Sequence, residues 1–161
     1  MHAPLNIPTS ADRGERYAAF APQALGLLDG ETDAIAAMAN LSAALMQTFN
    51  WHWIGFYRVI GNELVLGPFQ GPVACSRIPF GKGVCGTAWE QARTLVVPDV
   101  EAFPGHIACS PHSRSEIVVP VMDRNGKVVA VLDIDSSELD DLGEVDAKAL
   151  EALCALLQPL F

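Results

Sequence analysis

The chain has 161 residues, half of them hydrophobic and 18% charged, and 10 basic residues stand against 19 acidic ones for a net charge of −9. That is enough for one domain with a sizeable core, and too apolar for disorder over most of its length. The acidity, with Arg and Lys scattered rather than clustered, excludes the basic footprint of a nucleic-acid or anionic-membrane binder and fits a soluble protein.

Residues 1 to 10 carry two prolines and little periodicity, and read as an extended arm. No apolar block follows a basic cluster there, as a signal peptide would require, and no run approaches the ~20 residues that span a bilayer. A cytoplasmic chain is therefore expected. A helix is predicted near Ser10, with Ser10 as its cap and Tyr17, Phe20 and Leu25 on one face. Pro22 predicts two short pieces or a late start, because an interior proline breaks or kinks a helix. A stronger helix follows over about residues 31 to 48, with Ile35, Met38, Leu41, Ala44, Leu45 and Thr48 in one stripe.

The period then changes. Trp51 to Ile60 is aromatic and β-branched, Gly61-Asn62 is a hairpin turn, and Glu63 to Phe69 returns as an antiparallel strand. Val73 to Pro79 is a short strand or extended loop, and Val84 to Gln91 a short helix. Thr94 to Asp99 is a strand, and residues 99 to 114 form a long loop. Ser115 to Met122 and Lys127 to Asp135 are strands joined by the Arg124-Asn125-Gly126 turn. A last helix starts near Gly143, with Leu150, Leu153, Cys154 and Leu157 on one face. The order predicts an α+β domain, an antiparallel sheet of about five or six strands flanked by terminal helices.

In a reducing compartment four cysteines are thiols, metal ligands or redox groups rather than static staples. Cys154 belongs to the apolar face of its helix and packs as a small hydrophobe. Cys75, Cys85 and Cys109 instead lie in loops or at a helix start, beside glycine or proline. One reading is a metal site in which His106, Cys109 and His112 act with Cys75 or Cys85, as thiolate and imidazole suit zinc. Another is redox chemistry, in which one thiol is oxidised to a sulfenic acid and a second condenses with it. Cys85 at a helix N-terminus and Cys109 between two histidines are both placed to gain thiolate character. Three incidental loop cysteines are the bland alternative.

Acids and aromatics complete the set. Glu116 opens one strand, and Asp133 and Asp135 alternate on one face of the next. Such a pair is either a solvated face or a recognition site in which one carboxyl stays protonated. Trp51, Trp53 and Tyr57 share strand parity, and form either core or a wall for a small apolar group.

Together these residues resemble the free methionine-(R)-sulfoxide reductases, single-domain enzymes with a GAF fold. The likeness rests on Trp53-Ile54-Gly55-Phe56-Tyr57, Leu66-Gly67-Pro68-Phe69-Gln70-Gly71, Ala74-Cys75, Gly83-Val84-Cys85-Gly86-Thr87-Ala88, Gly105-His106-Ile107-Ala108-Cys109, Ser115-Glu116-Ile117-Val118-Val119-Pro120 and Val131-Leu132-Asp133-Ile134-Asp135-Ser136. It runs from about residue 13 to the C-terminus, leaving residues 1–12 as an arm and 13–161 as one GAF domain. The resemblance implies that Cys109 attacks the sulfur of free L-methionine-(R)-S-oxide while Glu116 and Asp135 hydrogen-bond or protonate its oxygen. It implies that Cys75 resolves the sulfenic acid as a disulfide, which thioredoxin reduces, and that Cys85 is an alternative resolver, a structural thiol or the attacking one. Asp133 would help bind substrate, Trp53 and Tyr57 would house its methyl group, no metal or organic cofactor is needed, and a homodimer is expected. In one respect the chain departs from the family: Ser110-Pro111-His112 follows Cys109 where an acidic residue is usual. A GAF sensor that binds a small ligand without chemistry is the rival from another class.

Overall fold

A computed structural model describes residues 4–9 and 12–161. The cap expected at Ser10 lies outside the described residues. The first helix, α1 (Arg13–Leu28), is capped by Asp12, which accepts from the Glu15 N–H at 2.8 Å while Glu15 accepts from the Asp12 N–H at 3.3 Å. This reciprocal capping box satisfies two otherwise unpaired donors.

The break expected at Pro22 does not occur, and α1 runs through it. Pro22 sits on the solvent side, and the carbonyl deprived of its partner belongs to exposed Ala18, where water can take the bond. One residue further, Gln23 donates to the Ala19 carbonyl at 2.8 Å and accepts from the Asn6 N–H at 2.8 Å, which ties the arm to the helix. Helix α2 (Ala34–Phe49) is capped by Asp33 and ends at Asn50 in the left-handed region.

Six strands follow: β1 (Trp53–Ile60), β2 (Glu63–Gln70), β3 (Arg77–Pro79), β4 (Leu95–Val97), β5 (Ser115–Met122) and β6 (Val128–Ser136). They form one antiparallel sheet in the order β3-β2-β1-β6-β5-β4. Helix α3 (Gly83–Gln91) joins β3 to β4, and α4 (Glu144–Ala155) closes the chain. The α+β expectation holds.

The sheet separates two cores. On one face Ile54, Phe56, Ile117, Val119, Leu132 and Ile134 meet the apolar stripes of α1, α2 and α4. The alternate residues, Trp53, Tyr57, Val118 and Val131, face α3 and the connecting loops. Strand periodicity thus sends each β-strand's neighbours to opposite sides. Trp51 takes the core alternative and does not share the face of Trp53 and Tyr57. It precedes β1, where strand parity does not yet apply, and stacks on Phe49 at 4.5 Å inside the helix-side core.

Candidate active site

The face of the sheet away from α1, α2 and α4 carries the site. Adjacent strands place Trp53 opposite Asp135, Gly55 opposite Asp133, and Glu116 opposite Asp135. Glu116, Asp133, Asp135, Trp53 and Tyr57 therefore project from one surface, as the sequence implied. The Trp53 indole stacks between Tyr57 (5.9 Å between centroids) and Phe69 (5.3 Å). It lies across Gly55, where any Cβ would stand 2.5 Å from the ring, so this wall requires glycine.

The same aromatics hold the first cysteine. Trp53 Nε1 donates to the Pro72 carbonyl at 3.1 Å, and the Tyr57 hydroxyl donates to the Cys75 carbonyl at 3.0 Å. The second cysteine stands on the loop between a short 3-10 turn (Val100–Ala102) and β5. That loop's ends are fixed where the Val100 N–H donates to the Arg114 carbonyl and the Arg114 N–H donates to the Ser136 carbonyl. Cys75 and Cys109, 34 residues apart in sequence, are joined as a disulfide.

Beneath it lies a small cavity of about 40 Å³, bordered by Trp53, Tyr57, Cys85, Glu116, Asp133 and Asp135. That is well below the roughly 300 Å³ or more of a site for a drug-sized ligand. Glu116 and Asp133 are buried, and burial raises the pKa of both carboxyls well above the usual range. Repulsion from Asp135 adds to this at Glu116, and repulsion from Glu116 at Asp133. Asp135 is raised for the same reasons, burial first and then Asp133. These are acids equipped to hold protons near neutrality. Asp133 Oδ1 is buried without any hydrogen-bond partner.

Cys85 occupies the first turn of α3, but it is not activated there. Burial, followed by Asp133 and Glu116, pushes its thiol well up, outweighing the helix N-terminal field. Its Sγ stands 4.0 Å from Glu116 Oε1. The metal set of His106, Cys109 and His112 with Cys75 or Cys85 is not assembled. Cys75 and Cys109 are bonded to each other, and His112 is exposed. His106 turns inward, with Nε2 3.7 Å from Glu116 Oε2, and burial lowers its pKa.

One contact had no signal in the sequence. His52 Nε2 lies 2.9 Å from Ser110 Oγ, which also accepts the His112 N–H at 3.3 Å. Ser110, the residue that departs from the family pattern, thus anchors the Cys109 loop to the residue preceding β1. The two residues are 58 positions apart, and no local pattern connects them.

Two cysteines from separate loops, meeting as a disulfide over buried carboxyls of raised pKa, define a thiol redox protein on an α+β scaffold. Comparison with known proteins sharpens this. A family model described as GAF domain matches residues 31–159. The structure of a free methionine-R-sulfoxide reductase from Neisseria meningitidis, solved in complex with its substrate, superposes with a TM-score of 0.95 at 48% identity, covering 99% of this chain and 96% of that one. A free methionine-R-sulfoxide reductase of Escherichia coli is 43% identical over 91% of this chain and 89% of its own. GAF domain-containing protein A of Dictyostelium discoideum is 53% identical over 92% and 94%. The chain belongs to the free methionine-(R)-sulfoxide reductase family, oxidoreductases of the GAF fold.

Proposed function

We propose that this protein reduces free L-methionine-(R)-S-oxide to L-methionine by thiol chemistry at Cys109. The observation that carries the proposal is the Cys75–Cys109 disulfide poised over Glu116, Asp133 and Asp135. In the reduced protein the Cys109 thiolate attacks the sulfoxide sulfur. Glu116 and Asp135 protonate the oxygen, the S–O bond breaks, and water departs to leave a Cys109–sulfonium adduct. Water then attacks the Cys109 sulfur, the S–S bond breaks, and methionine departs with Cys109 left as a sulfenic acid. The Cys75 thiol then attacks that sulfur, expels water and forms the disulfide. A dithiol protein such as thioredoxin exchanges with the disulfide, becoming oxidised itself and restoring both thiols. Trp53 and Tyr57 form the apolar seat for the substrate's methyl group, and Asp133, with its unpaired oxygen, binds the substrate's polar end. Cys85 is a buried thiol beside the acids rather than the resolver.

The homodimer implied by the family resemblance is supported by an apolar groove of about 340 Å³ between α1 and α4, bordered by Phe20, Leu25, Ala149 and Leu156. Leu25 is 55% exposed in the single chain, as an interface residue would be.

The decisive assay supplies reduced protein with the separate R and S diastereomers of free methionine sulfoxide and follows methionine release together with thiol loss. Turnover of the R form alone is expected, and absence of R turnover with dithiothreitol present would refute the proposal.

A further inference from the structure

The donor cluster that the fold assembles is not the one that cysteine and histidine spacing pointed to. Cys85 Sγ and carboxylate oxygens of Glu116 and Asp133 lie within 4.8 Å of one another, all three residues buried. Of these, Asp133 Oδ1 has no hydrogen-bond partner, and Asp133 is only 6% exposed. A buried acceptor left unpaired is a costly arrangement unless something comes to meet it.

We propose that Cys85, Glu116 and Asp133 form a reversible binding site for one zinc ion, separate from the redox pair Cys75 and Cys109.

Chemistry selects the ion. One thiolate with two carboxylates suits a borderline cation such as zinc, whereas magnesium and calcium take oxygen ligands alone. Three protein ligands with one open position is a common zinc arrangement. Tetrahedral zinc, with bonds of about 2.0–2.3 Å, needs ligand separations of roughly 3.3–3.6 Å, so side-chain rotation of about an ångström completes the set. A dication there would neutralise two of the three charges that the ligands carry when ionised.

Space points the same way. The cavity of about 40 Å³ exceeds the roughly 10–15 Å³ that a water-sized occupant requires. Val73 and Ile107, both exposed, border the same cavity, which therefore reaches the surface. His106, 3.7 Å from the second oxygen of Glu116, can orient that carboxylate from behind. All three ligands line the cavity beneath the disulfide, so an ion held there is an inhibitor rather than a structural element. Zinc here would deny Glu116 its proton and fill the substrate's space. That consequence rests on the proposed reductase activity; the binding itself does not.

The test uses the full chain in its disulfide form, in which neither Cys75 nor Cys109 offers a thiolate. Equilibrium dialysis with Zn²⁺ should retain one ion per chain, and Co²⁺ as an optical probe should give a thiolate-to-cobalt charge-transfer band. Cys85→Ser should abolish the band. Asp133→Asn should weaken zinc binding by more than the roughly 10–100-fold that loss of an outer contact causes. Cys154→Ser, which alters the remote buried thiol, should change neither. The proposal is overturned if wild type retains no zinc, or if Cys85→Ser and Asp133→Asn, each shown folded by circular dichroism, bind it as wild type does. Because the readout is binding by oxidised protein, loss of this site and failure of sulfoxide turnover are separate results.

Discussion

The two faces of the sheet are built from the same strands and share one backbone register, yet they do opposite work. On the helix side, Ile54, Phe56, Ile117, Leu132 and Ile134 are close to fully buried and apolar, and their neighbours are likewise apolar. One residue along each strand, the chain turns Trp53, Tyr57, Glu116, Asp133 and Asp135 to the other side. There polar groups are buried with incomplete partners, and the cover is a short helix and two loops joined by a disulfide. The difference teaches where stability and chemistry are kept. The first face supplies the burial that holds the sheet in place. That rigidity lets the second face hold buried carboxyls of raised pKa at fixed separations, an arrangement that destabilises the fold locally.

Substitutions should separate the faces, beginning with the largest effect. Cys109→Ser should leave no measurable sulfoxide turnover while the thermal midpoint of the reduced protein stays close to that of reduced wild type. Undiminished methionine release by this variant would remove Cys109 from the mechanism. Cys75→Ser should release one methionine per chain in a single turnover yet fail to cycle with thioredoxin. Normal cycling would transfer the resolving role to Cys85.

Glu116→Gln should lower kcat by roughly 10²–10⁴-fold, the range for loss of a positioned general acid, with a smaller change in KM. A change confined to KM would make Glu116 a binding group only. On the opposite face Phe56→Ala should cost about 3–5 kcal/mol of stability in denaturant unfolding. Below its unfolding transition the variant should keep a near-normal KM, and a KM shift as large as its stability loss would mean that the faces are not separable.

The smallest effect is a slope. Asp133 has a folded-state pKa raised above its unfolded value, so the folded protein holds the proton more tightly. Its contribution is present below the ordinary carboxylate range and is lost as pH rises towards the raised value. Asp133→Asn should therefore gain stability relative to wild type as pH climbs from roughly 4, by up to about 1.4 kcal/mol per pH unit across that window. A pH-independent difference would show that Asp133 is not held protonated.

Much of this was legible in one dimension because it depends on local periodicity. The parity that sets Glu116, Asp133, Asp135, Trp53 and Tyr57 on one face follows from strand alternation, and the Gly61-Asn62 turn from hairpin chemistry. Likewise, Leu150, Leu153, Cys154 and Leu157 are buried together as helical spacing requires. The helix break at Pro22 and the strand parity of Trp51 fail for a common reason. Each follows from a local rule, while the outcome depends on surroundings: a solvent-facing carbonyl in one case, the actual start of β1 in the other.

By itself the sequence determined the element order, the two-faced strands and, through family motifs, which thiols and acids to watch. Only the tertiary structure decided which of them meet. It paired Cys75 with Cys109, buried Cys85 against Glu116 and Asp133, and tied Ser110 to His52 across 58 residues. Periodicity is a property of neighbours along the chain. Burial, and with it the proton affinity of each buried group, is set by residues that only folding brings near.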